Sequence, residues 1–363
     1  MTTRTRAGLP RGENKWVRPA SHPLCGPGEK ILMSDLAPLA EAVVVDPLVG
    51  HPADYHVFHK FLDRCKALPA ITTAVVWPLS DVALRGTVEA AVEGLIEPTL
   101  IGDEAEIKAL AAKIGVDISG YPIQQADSER QAAEAGCIMC RTGKAQAMMK
   151  GSLHTDVLMS AAMQKETGLR ASSHRISHVF VMDTPAYART VLITDAAINI
   201  EPELEDKVHI VQNAINLAHA LGIPEPKVAL LSAVETVNPK IKSTLDAAAL
   251  CKMADRGQIT GGVLDGPLAF DTAVSAKAAS IKGLVSPVTG KADIMVVPDL
   301  ESGNMLAKQL EYLGGAQLAG IVLGARVPAI LTSRADSAET RLTSCAVAVL
   351  LHYANHPLEV VSL

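Results

Sequence analysis

Residues 71–114 read ITTAVVWPLSDVALRGTVEAAVEGLIEPTLIGDEAEIKALAAKI. Two short aliphatic runs, 71–77 and 98–101, carry no charge and are rich in β-branched side chains, which suits buried strands. Each is followed by a longer Ala-rich stretch, 80–95 and 104–114, with apolar residues at helical spacing. Strand followed by helix, twice in succession, is the signature of parallel strands joined by crossover helices.

The same alternation continues in both directions. Strand-like runs recur at 121–125 (weak), 145–150, 178–182, 190–194, 227–231, 261–264, 294–298, 320–323 and 328–332, with helices at 128–141, from about Thr155, and between most of the later runs. About a dozen strands exceed one small sheet, so the reading is two α/β domains, each with a largely parallel sheet flanked by helices. Upstream, residues 1–30 are rich in Pro, Gly and Arg and read as a poorly ordered arm. Residues 31–67 could hold one or two short helices, for example around 55–68.

Bulk composition narrows the function classes. The chain has 363 residues, 48% of them apolar but only 3% aromatic, and a net charge of −6. Without a Lys/Arg block to follow a phosphate backbone, nucleic acid is not expected as a partner. The apolar runs are shorter than the ~20 residues of a membrane helix, and the polar start lacks a signal-peptide core. The six cysteines are scattered, which points to free thiols in a reducing, cytoplasmic compartment. Cys137 and Cys140 form a lone CxxC inside a helical stretch and read as packing residues. The phosphate loop GxxxxGK[ST], the dinucleotide motif GxGxxG and the zinc motif HExxH are not present, residues 257–266 lack phosphate-loop spacing, and the aspartates are too scattered to argue a metal site.

Ligands of open parallel sheets gather at the carboxyl ends of strands. Polar residues follow nearly every run here: Asp183, Asp195, Ser232, Asp265-Gly266-Pro267, Pro298-Asp299-Leu300-Glu301-Ser302-Gly303-Asn304, and Thr332-Ser333-Arg334-Ala335-Asp336. Each has a plain alternative. An aspartate after a strand is often a helix N-cap, Asp265-Gly266-Pro267 can be a turn, and 301–304 can be a helix start with Lys308 solvated on its face. A glycine-containing helix start also offers free N–H groups to phosphate. His154 stands in a loop between strand and helix. Ser333-Arg334 is the sharpest element, because a capping role for Ser333 with Asp336 leaves Arg334 without a task, whereas a guanidinium fork suits a phosphate or an oxyanion.

Five ordered blocks resemble the phosphate acetyltransferase/phosphate butyryltransferase family: residues 149–155 with Lys150, Gly151, His154 and Thr155; residues 193–197 with Asp195; residues 264–271 with Asp265, Gly266 and Pro267; residues 297–304 with Pro298, Asp299, Gly303 and Asn304; and residues 331–337 with Ser333, Arg334 and Asp336. The blocks span about residues 70 to 355, and residues 1–67 lie outside them. The resemblance implies an isocitrate/isopropylmalate dehydrogenase-like architecture, with 68–170 plus 329–363 as one domain, 171–328 as the other, and the site in the cleft between them. It implies reversible transfer of a short acyl group between coenzyme A and phosphate, in a cytoplasmic homodimer, with coenzyme A as substrate and neither a metal nor a tightly bound cofactor.

On that resemblance Arg334 holds phosphate and offsets developing charge, Ser333 bonds near the thioester, and a carboxylate takes the thiol proton in the reverse direction. Gly151, His154 and Thr155 shape the phosphate side, Lys150 is a further substrate-binding candidate, and 298–304 lie against the acyl group or the coenzyme A arm. Two positions depart from the acetyl-transferring pattern. Thr340 stands where those members have an aspartate, leaving Asp336 and Glu339 as candidate bases, and residues 156–161 lack their arginine. Two other readings stay open: a catalytically altered protein that binds coenzyme A or acyl phosphate, and a decarboxylating dehydrogenase of similar architecture.

Overall fold

The computed structural model describes residues 56–170, 175–333 and 336–358. In chain order the elements are α1 (His56–Cys65), β1 (Ile71–Val76), α2 (Asp81–Val92), β2 (Ile96–Gly102), α3 (Glu104–Ile114), β3 (Ile123–Gln125), α4 (Glu129–Arg141), β4 (Ala147–Lys150), α5 (Thr155–Ala162), β5 (Ser177–Thr184), β6 (Tyr187–Thr194), α6 (Leu204–Ala220), β7 (Lys227–Leu231), α7 (Lys242–Asp255), β8 (Val263–Leu268), α8 (Phe270–Val274), α9 (Ala276–Ile281), β9 (Ile294–Val296), α10 (Leu300–Tyr312), β10 (Gln317–Leu323), β11 (Ala329–Ile330) and α11 (Ala338–Asn355). Local chemistry sets several boundaries. Ser80, Asp103, Ser128, Asp299 and Ser337 each accept a backbone N–H of the first helical turn, and Gly115, in the left-handed region, closes α3.

The expectation of two sheets is corrected. All described strands join one 11-stranded sheet in the order β3-β2-β1-β4-β11-β10-β5-β6-β9-β7-β8. The joint is antiparallel: β10 pairs antiparallel with both β11 and β5, and β5 antiparallel with β6, while the strands outside this joint are parallel within their own block. Strand β8 also runs through Asp265-Gly266-Pro267, which the sequence places after a strand; the irregularity between Ala229 and Leu231 accommodates them.

The register shows where the two blocks meet. Met149, Ile330, Ile321, Val179, Thr194 and Val296 form one row across the sheet. Strands β4 and β11 reach this row from one side and β6 and β9 from the other, and all four end on it or one residue past it. The loops after β4 and β11 therefore leave in one direction, and those after β6 and β9 in the opposite one.

Helices cover both faces. On one, Leu84 of α2, Ile107 of α3, Val211 of α6, Leu250 of α7 and Val347 of α11 share a core with Ile71, Val75 and Ile321. On the other, α4 and α5 pack over Ala74, Val76 and Met148, and α8 and α10 over Ile193 and Met295. Of the segment outside the family resemblance, α1 is described. Phe58 and Phe61 enter the first core, and Arg64 donates through Nη1 to Leu221 O at 2.6 Å and through Nη2 to Ala220 O at 2.8 Å, capping the carbonyl end of α6. The reading of residues 1–30 and the rest of the upstream stretch to residue 55 lies outside the described residues.

Candidate functional site

The site is built where β1, β4 and β11 end. Gly151 follows β4, and its N–H donates to Val76 O at 2.8 Å. A Cβ at this position would stand 2.3 Å from Trp77 O and 2.5 Å from Val76 O, so only glycine lets the loop lie this close to β1. Ser152 donates its N–H (2.8 Å) and its hydroxyl (3.0 Å) to Trp77 O. Trp77 itself sits at φ 56, a left-handed conformation that a bulky side chain rarely adopts. The loop then exposes His154, whose N–H donates to a Glu129 carboxylate oxygen at 3.3 Å, and half-buries Thr155 at the start of α5.

Beyond β11, the N–H of exposed Ser333 donates to Asp336 Oδ2 at 2.6 Å. Asp336 is buried, and its Oδ1 lies 3.7 Å from Lys308 Nζ on α10. Buried Lys150 donates through Nζ to Thr332 O at 3.5 Å. Arg341, fully buried in the first turns of α11, donates through Nη1 to Lys150 O at 3.3 Å and through Nη2 to Ser333 O at 3.2 Å. One polar network thus connects β4, β11, α11 and α10.

The charge balance of this network is positive. Lys308 and Arg341 lie near one buried carboxylate, Asp336, with Lys150 bonded to Thr332 O and Glu311 accepting from Lys308 at 2.7 Å. Burial pulls Lys308 down, but Glu311 and Asp336 outweigh it and its pKa is raised. Burial lowers Arg341, and Asp336 opposes that shift. Three buried atoms of the network, Thr332 Oγ1, Asp336 Oδ1 and Arg341 Nε, make no hydrogen bond among the described residues. A cationic frame beneath an exposed serine is suited to holding an anionic oxygen centre.

The structure separates the sequence-selected residues into groups. Lys150, Gly151, Ser333 and Asp336 converge. Arg334 lies outside the described residues. Glu339 is exposed and accepts from Gln317 Nε2 at 3.1 Å, and the Thr340 hydroxyl pairs with the Ser337 hydroxyl at 3.2 Å.

Asp195, on the other side of the row, has its carboxylate filled from the chain. Oδ1 accepts from the N–H groups of Ala197 and Ile198, both at 3.0 Å, and Oδ2 from His178 N (3.2 Å), Asn199 N (3.3 Å) and Asn199 Nδ2 (2.6 Å). Burial raises its pKa against these bonds. Asp299 caps α10, a Cβ on Gly303 would lie 2.6 Å from Val297 Cγ2, and Asn304 Nδ2 donates to Ala196 O at 3.3 Å. Pro298 is half-buried beside them. Asp265 accepts the N–H of Gly266 at 2.8 Å, and a Cβ on Gly266 would meet Leu230 Cβ at 2.6 Å, so that block packs β8 against β7.

Two residues of the network were not selected from sequence. Lys308, read as solvated, is half-buried beneath the Ser333 turn. Arg341 was passed over, although it shares a helical stripe with Cys345 and Ala348, both fully buried, and that spacing was the available signal. Cys137 and Cys140 are packed in the core with thiols pushed up to about 11 and about 12 by burial, in line with their reading as packing residues. A cavity of about 530 Å³ lies at the opposite, amino ends of β4 and β11, lined by Gln146, Arg326 and His352 among others; it holds none of the sequence-selected residues. Among the described residues there is no cluster of metal-ligating side chains, and no helix is long and apolar enough to cross a membrane.

Residues 129–349 match the family described as "Phosphate acetyl/butaryl transferase". A phosphate acetyltransferase of Rhizobium meliloti is 54% identical over 299 residues, covering 82% of this chain and 94% of the relative. A phosphate butyryltransferase of Clostridium acetobutylicum is 42% identical over 294 residues, 81% of this chain and 97% of the relative. The crystal structure of a branched-chain phosphotransacylase from Enterococcus faecalis V583 superposes with a TM-score of 0.68 at 31% identity, covering 78% of this chain and 99% of that one.

Proposed function

The chain belongs to the phosphate acetyl/butyryl transferase family, and on that premise we propose that it catalyses acyl-CoA + phosphate = acyl phosphate + CoA at the Ser333 end of β11. The observation that carries this location is the cationic frame of buried Lys150 and Arg341 and half-buried Lys308 beside the exposed Ser333.

A phosphate oxygen attacks the thioester carbonyl carbon, the carbonyl electrons move onto oxygen, and collapse of the tetrahedral oxyanion breaks the carbon–sulfur bond. The thiolate leaves and takes a proton. Arg334, next to Ser333 in the chain, holds the phosphate and offsets the oxyanion. Ser333 donates its hydroxyl to the thioester sulfur or carbonyl. The loop of Gly151, His154 and Thr155 borders the phosphate, with Lys150 supplying potential from below. Holding both substrates in one frame supplies much of the acceleration without a covalent intermediate.

Of the two candidate bases, Asp336 is favoured over Glu339, because it lies within the network and Glu339 is turned to Gln317. The bonds filling Asp195, and the packing of Gly303 and Gly266, support a structural part for those blocks. The opposed strand blocks support two lobes, 68–170 with 329–363 and 171–328, with the site between them and an architecture like that of isocitrate and isopropylmalate dehydrogenases. Exposed apolar Phe270, Ile281 and Val285 support a homodimer. Five free cysteines among the described residues support a cytoplasmic location. The test is phosphate-dependent release of free thiol from acetyl-, propionyl- and butyryl-CoA; no release from any of them would refute the proposal.

A further inference from the structure

We propose that Arg341 is a positioning residue that sets the gap between the Gly151–Thr155 loop and Ser333. Its two hydrogen bonds end on a particular pair of peptide groups. The Lys150 carbonyl, 3.3 Å from Nη1, belongs to the peptide that leads into Gly151, and the Ser333 carbonyl, 3.2 Å from Nη2, to the one that leads into Arg334. A single planar fork therefore holds together the two points from which the substrate loops depart. Fixing that gap fixes how a phosphate at one loop faces a thioester at the other, and reacting atoms tolerate little error in that distance.

The site is constructed to keep the fork in place. Arg341 is fully buried, and its stem lies on α2 at Gly86, where a Cβ would come 2.7 Å from Arg341 Cδ and 3.2 Å from Arg341 Cβ. Gly86 sits in the interior of a helix, where glycine carries a conformational cost, and the close passage of the arginine stem accounts for it. Asp336 faces the guanidinium as the nearby carboxylate, and the Cys345 thiol is the other titratable group close to it. A lysine at this position would keep the charge but could not span both carbonyls.

This inference rests on the proposed reaction for its kinetic consequence and on geometry alone for its structural one, so both are measured. Arg341→Lys and Gly86→Ala are compared with wild type and with Val347→Ala, a core truncation further along α11. The readouts are kcat/KM for phosphate, melting temperature, and hydrogen exchange in peptides covering 148–155 and 331–337. Arg341→Lys is expected to lower kcat/KM by at least about tenfold and to speed exchange in both peptides, beyond anything seen in a Val347→Ala protein of equal or lower melting temperature. Gly86→Ala, which displaces the stem and leaves the guanidinium chemistry intact, is expected to move both readouts the same way. If Arg341→Lys melts lower but keeps wild-type kcat/KM and wild-type exchange in both peptides, the residue is only structural and the inference is overturned. If wild type lacks activity while Arg341→Lys still loosens both peptides, the positioning stands and the proposed reaction falls.

Discussion

The backbone N–H of Ser333 donates to Oδ2 of Asp336 at 2.6 Å, and the other oxygen of the same buried carboxylate lies 3.7 Å from Lys308 Nζ. The turn that presents Ser333 is therefore held to the start of α11 and, through Lys308, to α10. A carboxylate in this position can serve as a proton acceptor or as a brace, and substitution separates the two. Asp336→Ala leaves the Ser333 N–H without its partner and is expected to cost about 1–3 kcal/mol of stability and about a hundredfold in turnover. Asp336→Asn keeps an acceptor for that N–H. If Asp336 is a brace, Asn retains activity within about tenfold of wild type; if it is the base, Asn is as slow as Ala. Steady-state rates with urea midpoints for both variants decide between them.

Glu339 gives the complementary prediction. It is exposed and paired with Gln317 rather than with the Ser333 turn. Glu339→Gln is expected to leave kcat within about twofold of wild type, the usual range for a surface substitution. A loss of two orders of magnitude would instead make Glu339 the base.

Gly151→Ala tests the loop. The new methyl group would lie 2.3 Å from Trp77 O, against backbone that cannot rotate away. The variant is expected to lose about 1–3 kcal/mol of stability and most of its activity, measured by thermal melts and initial rates. A stable, fully active Gly151→Ala protein would show that the close approach of the loop to β1 is not needed.

His178 predicts a pH dependence of stability. It is fully buried on β5, and burial pulls its pKa down to about 3, with a hydrogen bond to the Leu331 backbone only partly opposing the shift. The native state keeps this ring neutral, whereas the unfolded chain binds a proton near its ordinary value of 6.5. Stability is therefore full above that value and falls as the pH drops from there toward 3, by an amount on the order of 5 kcal/mol at full development. His178→Leu is expected to flatten the fall in urea midpoint between about pH 7.5 and about pH 5. Equal slopes for the two proteins would contradict this.

Local structure was largely legible in the sequence, and long-range structure was not. The helix at 104–114 and the strand at 227–231 match α3 and β7 residue for residue, because caps and apolar runs are local signals. The single sheet was missed because its joint depends on β10 pairing with β5, strands far apart in the chain whose periodicity says nothing about their partners. The same joint divides the candidate site. Asp195 and Asp299 follow strands just as Ser333 does, but their strands run the other way, so their loops leave on the far side of the row. Capping aspartates and ligand-binding ones share one sequence signature, so the sequence does not reveal that the Asp195 carboxylate accepts backbone and Asn199 donors. Arg341 differs: its stripe with Cys345 and Ala348 marks a core-facing position, but how the arginine stem is accommodated there depends on its packing partner, Gly86, which the spacing does not reveal.

Acyl transfer to phosphate is proposed at Ser333 and Arg334. The most direct test is free-thiol release from acetyl-CoA and butyryl-CoA, with and without phosphate, by wild type and by Arg334→Ala. Release that requires phosphate is expected, with a loss of about two to three orders of magnitude in kcat on removing the Arg334 guanidinium. Phosphate-independent release, or an Arg334→Ala enzyme as fast as wild type, would contradict it.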